Sequence, residues 1–378
     1  MDDQKTKKLC GTTENKSKTE SASETLNSKI QDLTYDVLRI IFKFLNGKDL
    51  SAAAMVCRCW RDAAISELKT RGSEYLCKSL EKNNDSCDNY LDNRVVRNLR
   101  IKPMLGLIFT GDVENRIFDS VKEGSATDCY CSQLPTSCET VMLRTCETIS
   151  SDLVLGKNDA VCVFFPTIPK VKVNTFSLDD SSNLEKEKVL DWIHSCSEFG
   201  SNEKSKCIMV FSDCDGYKHA IKMLRTIKCK YPKQKLSLIG GIVKDIIYCK
   251  RTSEEKFCKK SSTVTVVTLS GPGIHTWSAI IPKKCYGEEE IEEKLKILRE
   301  NVQLKKFTMG FIFSCVARLE NKKMEMRVFK KIFPEIPIAG GFGDGEFGEN
   351  TIQTLSPRKG KASRSYEFST VFMILTYG

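Results

Sequence analysis

The cysteines are the first residues in this sequence that could carry chemistry. Eighteen of the 378 residues are cysteine, and only three are histidine: His194, His219 and His275. Structural zinc sites usually combine C-x-x-C pairs with further cysteine or histidine ligands. The closest pairs here, Cys57/Cys59 and Cys129/Cys131, have C-x-C spacing, and no C-x-x-C pair occurs. The sequence therefore predicts no metal site and no other cofactor, and its cysteines are expected to be free thiols that pack as small apolar residues.

Cys315 is the candidate for a nucleophile, because it directly follows the strand-like segment 310–314. A cysteine nucleophile needs a base, for which His275 is available, and a group that orients the base, for which Glu346 is available. The sequence does not show that these three residues meet. The G-x-S-x-G motif of serine hydrolases is absent from the sequence as well. We therefore expect a non-catalytic protein, with an oxidant-sensing thiol as the alternative role for Cys315.

The segment "GGFGDGEFG" contains the spacing G-x-G-x-x-G over residues 343–348. A dinucleotide-binding loop of this type follows a strand and opens a helix. The residues that follow here, "ENTIQTL", have the composition of an extended segment. The sequence therefore does not predict nucleotide binding.

Strands interleaved with helices are the elements that would position these residues. Ten short apolar or β-branched runs between residues 102 and 378 are bounded by Gly, Pro, Asp or Ser, which is typical of strands. Helical patterns fall between them at 182–199, 217–230, 288–301 and 323–333. This order indicates an α+β or mixed α/β fold, in which short N-terminal helices precede a large mixed sheet.

Part of this pattern occurs twice, about 100 residues apart. Each copy has a strand, a helix, an aromatic–proline pair, a second strand and a diglycine: Gly240-Gly241 in the first copy and Gly340-Gly341 in the second. Two βαβ units with parallel strands are predicted. Because ligands bind beyond the carboxyl ends of parallel strands, we expect Cys214, Cys315 and two diglycine turns to lie at such an edge.

Residues 31–68 have the apolar spacing of amphipathic helices. Asp49 is predicted as the N-cap of a helix that runs on to Leu68, with Val56, Cys57 and Trp60 on one face. About 40 residues in short helices cannot bury so many apolar side chains by themselves. The segment therefore packs either on the region that follows it or on another protein.

The same segment resembles the F-box, through Leu33, Ile40, Leu45, the pair Asp49-Leu50 and the run "VCRCWR". It differs from the usual F-box at Thr34, where proline is common. The resemblance implies docking on the Skp adaptor of a cullin-RING ubiquitin ligase. The residues expected to bind that adaptor are Leu33, Val37, Ile40, Ile41, Leu45, Leu50, Val56, Cys57 and Trp60.

The C-terminal region resembles the FIST C domain, and the region before it resembles FIST N more weakly. The residues that carry the FIST C resemblance include Gly310, Phe313, the pair Phe333-Pro334 and Gly348. FIST domains are regarded as sensory or ligand-binding modules. The expected ligand or substrate site comprises Cys214, Gly240, Gly241, Cys315, Arg318, Gly341, Gly343, Gly345 and Glu346.

The two resemblances together predict five segments: a polar tail at 1–28, an F-box at 29–75, a connector at 76–94, a FIST N-like domain at 95–258 and a FIST C-like domain at 259–378. The function that they imply is recruitment of protein substrates to a cullin-RING scaffold for ubiquitination and degradation. Sensing of a small ligand or of redox state is the alternative.

Charge and hydropathy restrict the partners further. The net charge is +10, and residues 201–260 hold fifteen Lys/Arg against six Asp/Glu. This basic segment lacks the interleaved aromatic residues or the recognisable fold of a nucleic-acid-binding protein, so nucleic acid is not expected as a partner. No apolar run approaches the roughly 20 residues of a membrane helix, and the N-terminus has no signal-peptide core. We therefore expect no membrane contact and a location in the cytoplasm and nucleus.

Overall fold

The computed structural model describes residues 34–79, 96–111, 134–151, 159–178, 206–230, 236–250, 261–352 and 365–378. The predicted polar tail at 1–28, the adaptor residue Leu33 and the predicted helix at 182–199 lie outside these ranges. The described residues fold as N-terminal helices followed by a mixed-sheet region with helices, so the predicted fold class is confirmed.

Three short helices form the N-terminal part: α1 (Tyr35–Phe42), α2 (Gly47–Ala53) and α3 (Arg58–Leu68). The cap of α2 is Asn46, whose side chain accepts a hydrogen bond from the Asp49 backbone N–H at 2.8 Å. The predicted cap at Asp49 is therefore wrong, since that residue lies inside the first turn. The predicted single helix is also wrong, because the chain turns after Ala54 and starts again at Arg58.

This turn separates residues that the sequence analysis placed on one helical face. Val56 and Cys57 lie in the turn itself, whereas Trp60 lies in the first turn of α3. The Trp60 ring makes an edge-to-face contact with Phe42, with ring centroids 5.4 Å apart. The three helices share a small core, formed by Leu38, Phe42, Leu50, Ala53, Ala63 and Ala64.

Residues 74–378 are here called the β region, and their described part forms three sheets. The first has the order β1-β5-β2-β3-β9, with strands Glu74–Ser79, Asp159–Pro166, Pro103–Thr110, Glu139–Arg144 and Asp245–Cys249. The second has the order β6-β10-β7-β8-β14-β15, with strands Lys172–Leu178, Val264–Ser270, Lys206–Ser212, Ser237–Ile242, Glu346–Gly348 and Ser365–Tyr366. The third has the order β11-β16-β12-β13-β4, with strands Ile274–Ile281, Thr370–Tyr377, Phe307–Cys315, Ile338–Gly343 and Thr148–Ser150.

The helices of this region follow the predicted pattern where they are described: α4 (Tyr217–Lys230), α5 (Glu288–Asn301), a 3-10 helix (Val316–Asn321) and α6 (Lys322–Ile332). In α4, Lys218, Lys222 and Arg225 are exposed, whereas Ala220, Met223, Leu224 and Ile227 are buried, as the periodicity indicates. The predicted boundary at 258/259 falls within residues 251–260, which lie outside the described ranges. The strand after that boundary, β10, pairs with β6 and β7 from before it.

The two predicted βαβ units are present, and a third pair of parallel strands accompanies them; each of the three parallel pairs is called a unit here. In each sheet two parallel strands lie side by side: β2 with β3, β7 with β8, and β12 with β13. Their registers are equivalent, because Phe109 pairs with Leu143, Phe211 with Gly241, and Phe313 with Gly341. The sequence analysis missed the first copy because Met142 and Leu143 stand where the other copies have a diglycine.

The three units exchange strands in a closed cycle. After its second parallel strand, each unit sends a short strand into the sheet of another unit: β4 pairs with β13, β9 with β3, and β14 with β8, all antiparallel. Each of the three exchanges also has an equivalent backbone hydrogen bond. The N–H of Cys146 donates to Phe342 O at 2.9 Å, that of Lys244 to Arg144 O at 2.8 Å, and that of Asp344 to Ile242 O at 3.0 Å. The units are therefore interlocked by main-chain pairing.

Three phenylalanines at equivalent positions meet where the units converge. Phe109, Phe211 and Phe313 are each buried on the first parallel strand of a unit. The Phe211 ring lies 6.2 Å from that of Phe109 and 6.0 Å from that of Phe313, centroid to centroid. The largest core cluster of the described residues surrounds them and includes Leu107, Met209 and Phe311, which hold equivalent positions two residues earlier.

The diglycines lie inside strands β8 and β13 and not in turns, so the predicted diglycine turns are wrong. A Cβ on Gly240 would lie 1.7 Å from the carbonyl oxygen of Val210, and one on Gly340 would lie 1.7 Å from that of Ile312. Gly240 also has φ +147°, which side-chain-bearing residues rarely adopt. The glycines are needed because the neighbouring parallel strand approaches so closely.

The central phenylalanine contact leads to a stability prediction. Substitution Phe211→Ala should lower the free energy of unfolding by about 3–5 kcal/mol, because it opens a cavity where three units meet. Double substitutions with Phe109→Ala or Phe313→Ala should be non-additive, since the rings touch. Denaturant unfolding measures both effects. The control is Phe44→Ala, whose ring is 85% exposed and should change stability by no more than about 0.5 kcal/mol. Equal losses for Phe211→Ala and Phe44→Ala would contradict this account of the core.

Candidate functional site

The N-terminal helices carry an apolar surface that is exposed among the residues the structure describes. Eleven large hydrophobic residues are exposed within the described ranges, and eight of them lie between residues 35 and 65. We call six of these the apolar face: Val37, Ile40, Ile41, Phe44, Met55 and Val56. Phe44 is 85% exposed and Met55 is 87% exposed. So many exposed large apolar side chains on about 30 residues are typical of a protein-binding surface.

The residues predicted to bind the adaptor divide by exposure. Val37, Ile40, Ile41, Val56 and Cys57 are exposed, Leu45 and Trp60 are half-buried, and Leu50 is buried in the core of the helices. Which of them touch an adaptor stays a prediction. Sequence reasoning missed Met55, because in the predicted continuous helix nothing distinguishes this residue from its neighbours. The turn between α2 and α3 is what exposes it.

Arg71 joins the three helices to the β region. Its guanidinium donates hydrogen bonds to the carbonyl oxygens of Phe42 and Leu45, each at 2.8 Å, and to Glu67 Oε1 at 3.1 Å. It also donates to the carbonyl oxygen of Arg100 in the β region. Because Arg71 is buried and satisfies several backbone acceptors at once, it holds the ends of α1 and α3 against that segment.

A second contact fixes the start of α2 in the same place. The Gly47 backbone N–H donates to the carbonyl oxygen of Leu99 at 2.7 Å, and a Cβ on Gly47 would lie 2.1 Å from the carbonyl oxygen of Ile101. Only glycine fits at this distance. The helices therefore rest on residues 99–101, a contact in which the apolar face takes no part.

The predicted ligand site comes together only in part. Cys315 pairs with Gly343 in the β12–β13 ladder, and Glu346 pairs with Gly241 in the β14–β8 ladder. The carbonyl oxygen of Gly345 accepts a hydrogen bond from the Ile242 N–H at 2.9 Å. These residues thus meet where the second and third units exchange strands. The diglycine positions contribute backbone, while Cys214 is exposed in the loop before α4.

The space between these strands is filled by a side chain. A Cβ on Gly241 would lie 2.2 Å from the Phe313 ring, and one on Gly343 would lie 2.7 Å from the same ring. A Cβ on Gly341 would lie 2.7 Å from the Thr145 side chain. The glycines therefore make room for protein side chains here. Their role in ligand binding stays a prediction.

Arg318 belongs to a buried polar network. Its guanidinium donates to Glu325 Oε1 at 2.5 and 2.8 Å and to the Cys285 carbonyl oxygen at 2.9 Å. The other oxygen of Glu325 accepts a hydrogen bond from the Thr370 hydroxyl at 2.8 Å, and that hydroxyl lies 2.7 Å from the hydroxyl of Ser314. The network ties the 3-10 helix and α6 to strands β12 and β16. Sequence reasoning missed Glu325, because a single acid in an amphipathic helix gives no sign that it is buried.

Glu346 is a fully buried carboxylate that is satisfied on one side only. Its Oε1 accepts hydrogen bonds from the backbone N–H and the hydroxyl of Ser369, both at 2.5 Å. Its Oε2 has no hydrogen-bond partner among the described residues. Burial raises the pKa of Glu346 to about 7, against the lowering effect of the Ser369 hydrogen bonds.

The two cysteines of the predicted site have little thiolate character. Burial raises the pKa of Cys315, and the charges of Glu346 and Asp344 raise it further. Burial and then the charge of Asp344 raise the pKa of Cys214 as well. Because the thiolate is the reactive form, neither cysteine is activated as a nucleophile in this environment.

His275 does not lie near Cys315, so the base and the nucleophile that the sequence offers do not meet. His275 lies opposite Thr376 in the β11–β16 ladder, whereas Ser314, next to Cys315, lies opposite Thr370. Six residues of extended strand separate the two places, which is about 20 Å. Burial and the nearby charge of Lys305 also lower the pKa of His275.

Within the described ranges, no group of three or more His, Cys, Asp or Glu side chains has the arrangement of a metal site. No helix within them is long and apolar enough to span a membrane.

Glu346 allows a prediction about pH. Its pKa is higher in the folded state than in the unfolded chain, so folding binds a proton between roughly pH 4.5 and 7. The stability contributed by protonated Glu346 is fully present at acidic pH and is lost as the pH rises through about 7. The free energy of unfolding of Glu346→Gln minus that of the wild type should therefore increase from pH 5 to pH 8, by about 3 kcal/mol at most. Thermal unfolding at each pH measures this difference.

Glu292→Gln is the matched control for this measurement. Glu292 is paired with Lys296 and Lys331, and those hydrogen bonds lower its pKa. Its contribution therefore has the opposite sign and is lost as the pH falls. If the difference between Glu346→Gln and wild type does not change from pH 5 to 8, Glu346 is not a buried carboxylate with a raised pKa.

Comparison with known proteins gives three findings. An F-box domain matches residues 30–71. The chain is 25% identical to F-box only protein 22 of Pongo abelii and 24% identical to F-box only protein 22 of Homo sapiens, each over 353 residues that cover 84% of this chain and 85% of the relative. A solved structure, cyanuric acid hydrolase from A. caulinodans, aligns with 81% of this chain and 98% of its own at 7% identity, with a TM-score of 0.39.

The F-box match covers the three helices that carry the apolar face, and the similarity to F-box only protein 22 covers 84% of the chain and therefore most of the β region. The F-box match includes the residues that carry the F-box resemblance in the sequence, whereas the FIST resemblance stays a prediction. The chain therefore carries an F-box domain at residues 30–71 and is similar to F-box only protein 22 along most of its length.

Proposed function

We propose that the protein is the substrate-recognition subunit of an SCF ubiquitin ligase. The F-box would bind the Skp adaptor, which connects to the cullin-RING scaffold, and the β region would hold target proteins for ubiquitination and proteasomal degradation. The observation that carries the proposal is the apolar face, whose residues protrude from an F-box that is otherwise anchored through Arg71 and Gly47. The F-box match and the similarity to F-box only protein 22 support the same role.

The apolar face has the properties of a protein-binding site. Val37, Ile40 and Ile41 lie on α1, Phe44 follows its end, and Met55 and Val56 lie in the turn before α3. The apolar face therefore projects from two segments of one small domain. Covering a large apolar side chain fully is worth roughly 1.5–3 kcal/mol, and the side chains here still expose about half of their surface or more. A few such residues therefore dominate binding, as in other interfaces where small clusters carry most of the free energy.

Ubiquitin transfer would be carried out by other subunits in this proposal. The contribution of this chain would be proximity, since holding a target beside the ligase raises the effective concentration of its lysines near the charged E2 enzyme. The raised pKa values of Cys315 and Cys214 favour recruitment over the alternative of redox sensing. We place the protein in the cytoplasm and nucleus, where such ligases would meet their targets.

The adaptor contact is tested by a charge placed on the apolar face. Met55→Glu should reduce affinity for the Skp adaptor at least about tenfold, because a carboxylate would be buried against apolar side chains. Calorimetry with purified full-length protein measures the affinity. Leu304→Glu is the control, since Leu304 is 44% exposed and lies in the β region. Unchanged adaptor affinity for Met55→Glu would remove the apolar face from the proposed interface.

Trp60 is a less selective test of the same interface. Its ring packs on Phe42 in the core of the helices, so Trp60→Ala would weaken the F-box fold together with any adaptor contact. Met55 has no such role in the core, and its substitution should leave the melting temperature unchanged.

Substrate recruitment is tested with a variant that should lose adaptor binding and keep target binding. Affinity purification of Met55→Glu from cells should lose the adaptor and cullin but retain the target proteins seen with the wild type. Mass spectrometry with quantification against wild type gives the readout. If adaptor, cullin and targets are all lost together, the targets reach this protein through the ligase and not through the β region.

A further inference from the structure

A cleft of about 470 Å³ lies where the F-box meets the β region. One wall comes from α3, through Ile65 and Leu68. The opposite wall comes from Phe307 at the start of β12 and Tyr377 at the end of β16. The volume falls within the range of pockets that hold small molecules, about 300–1,000 Å³. None of the residues in the sequence-based ligand site lines this cleft.

The interior of the cleft is apolar. The Phe307 and Tyr377 rings touch, with centroids 5.2 Å apart, and Ile101 and Ile168 complete the lining between them and α3. Ile101 and Ile168 are buried, whereas Ile65 is 38% exposed and contributes the open side. An aliphatic or aromatic group would therefore find a preformed surface here.

Three lysines give the lining of the cleft a positive charge, and two of them, Lys69 and Lys102, are exposed. Lys69, Lys102 and Lys305 all contribute to its lining, whereas no aspartate or glutamate among the described residues does. None of the three forms a salt bridge with any residue that the structure describes. Arg71 also borders the cleft, but its donors are occupied by Glu67 and by backbone carbonyl oxygens.

Backbone geometry argues for a small occupant over a peptide strand. β16 is paired with β11 and β12 along its length, so the strand that supplies Tyr377 has no free edge. β12 is paired with β16 from Phe307 but with β13 only from Gly310, which leaves an extended peptide at most three residues of edge. The cleft is thus a recess lined by apolar and cationic side chains.

We propose that this cleft binds a small amphipathic anion, a molecule with an apolar body and a carboxylate or comparable acidic group. The apolar body lies between α3 and the Phe307–Tyr377 pair, and the anionic group faces Lys102 and Lys305. Because the two walls belong to the F-box and to the β region, an occupant contacts both. The proposal does not depend on the ubiquitin-ligase role.

The test uses full-length protein and two probes of the same length, decanoate and 1-decanol, each below the concentration at which it aggregates. Calorimetry should show decanoate binding at least about tenfold more tightly than 1-decanol, because charge-assisted hydrogen bonds to lysine are available only to the carboxylate. The double substitution Lys102→Gln/Lys305→Gln should weaken decanoate binding by a similar factor and leave 1-decanol unchanged. Lys218→Gln/Lys222→Gln on α4 is the charge-matched control and should have no effect.

A second variant tests the F-box wall. Ile65→Ser shortens an exposed side chain and should weaken binding of both probes about threefold or more through lost apolar contact, with no change in fold. The proposal is overturned if decanoate does not bind, if the two probes bind equally, or if the lysine substitutions leave decanoate affinity unchanged. If the lysine substitutions weaken decanoate binding and Ile65→Ser does not, the ligand does not contact the F-box. Its proposed position between the F-box and the β region would then be wrong.

Discussion

The exchange of strands among three units is the constraint on which the rest of the structure depends. Each unit pairs its two parallel strands internally but completes its sheet with a strand from another unit, namely β4, β9 or β14. A parallel pair left without that strand would expose an edge of unpaired backbone groups. The cycle therefore fixes the relative position of all three units. It also places Phe109, Phe211 and Phe313 against one another in the centre.

Glycine and buried polar groups serve this arrangement. Gly240 and Gly340 let parallel strands approach within a distance that no side chain would permit. Gly241 and Gly343 leave room for the ring of Phe313. The Arg318–Glu325 pair and the Ser369 hydrogen bonds to Glu346 hold the outer segments against the same strands. Residues that looked like the lining of a ligand site from the sequence are thus involved in joining the units.

The sequence was sufficient to predict most of the regular elements, because strands and helices are encoded in local periodicity. It predicted α4, α5 and α6, the parallel strands of two units and the α+β fold class. The first unit was missed because its second strand lacks the diglycine, and the short strands β4 and β14 carry no pattern of their own. Strand exchange depends on pairing between distant segments, which local periodicity does not report. For the same reason, the separation of His275 from Cys315 became visible only in the register of β11, β16 and β12.

The cyclic exchange also determines when this protein is able to fold during synthesis. The sheet that contains β2 and β3 also needs β9, so it stays incomplete until Cys249 has left the ribosome. The sheet that contains β7 and β8 waits for β14, which ends only at Gly348. The first sheet is therefore complete only after about two thirds of the polypeptide has emerged, and the other two need β15 and β16 near its C-terminal end. The nascent chain carries open sheet edges during that time. Such a chain would need chaperone protection for longer than one of equal length built from separate domains.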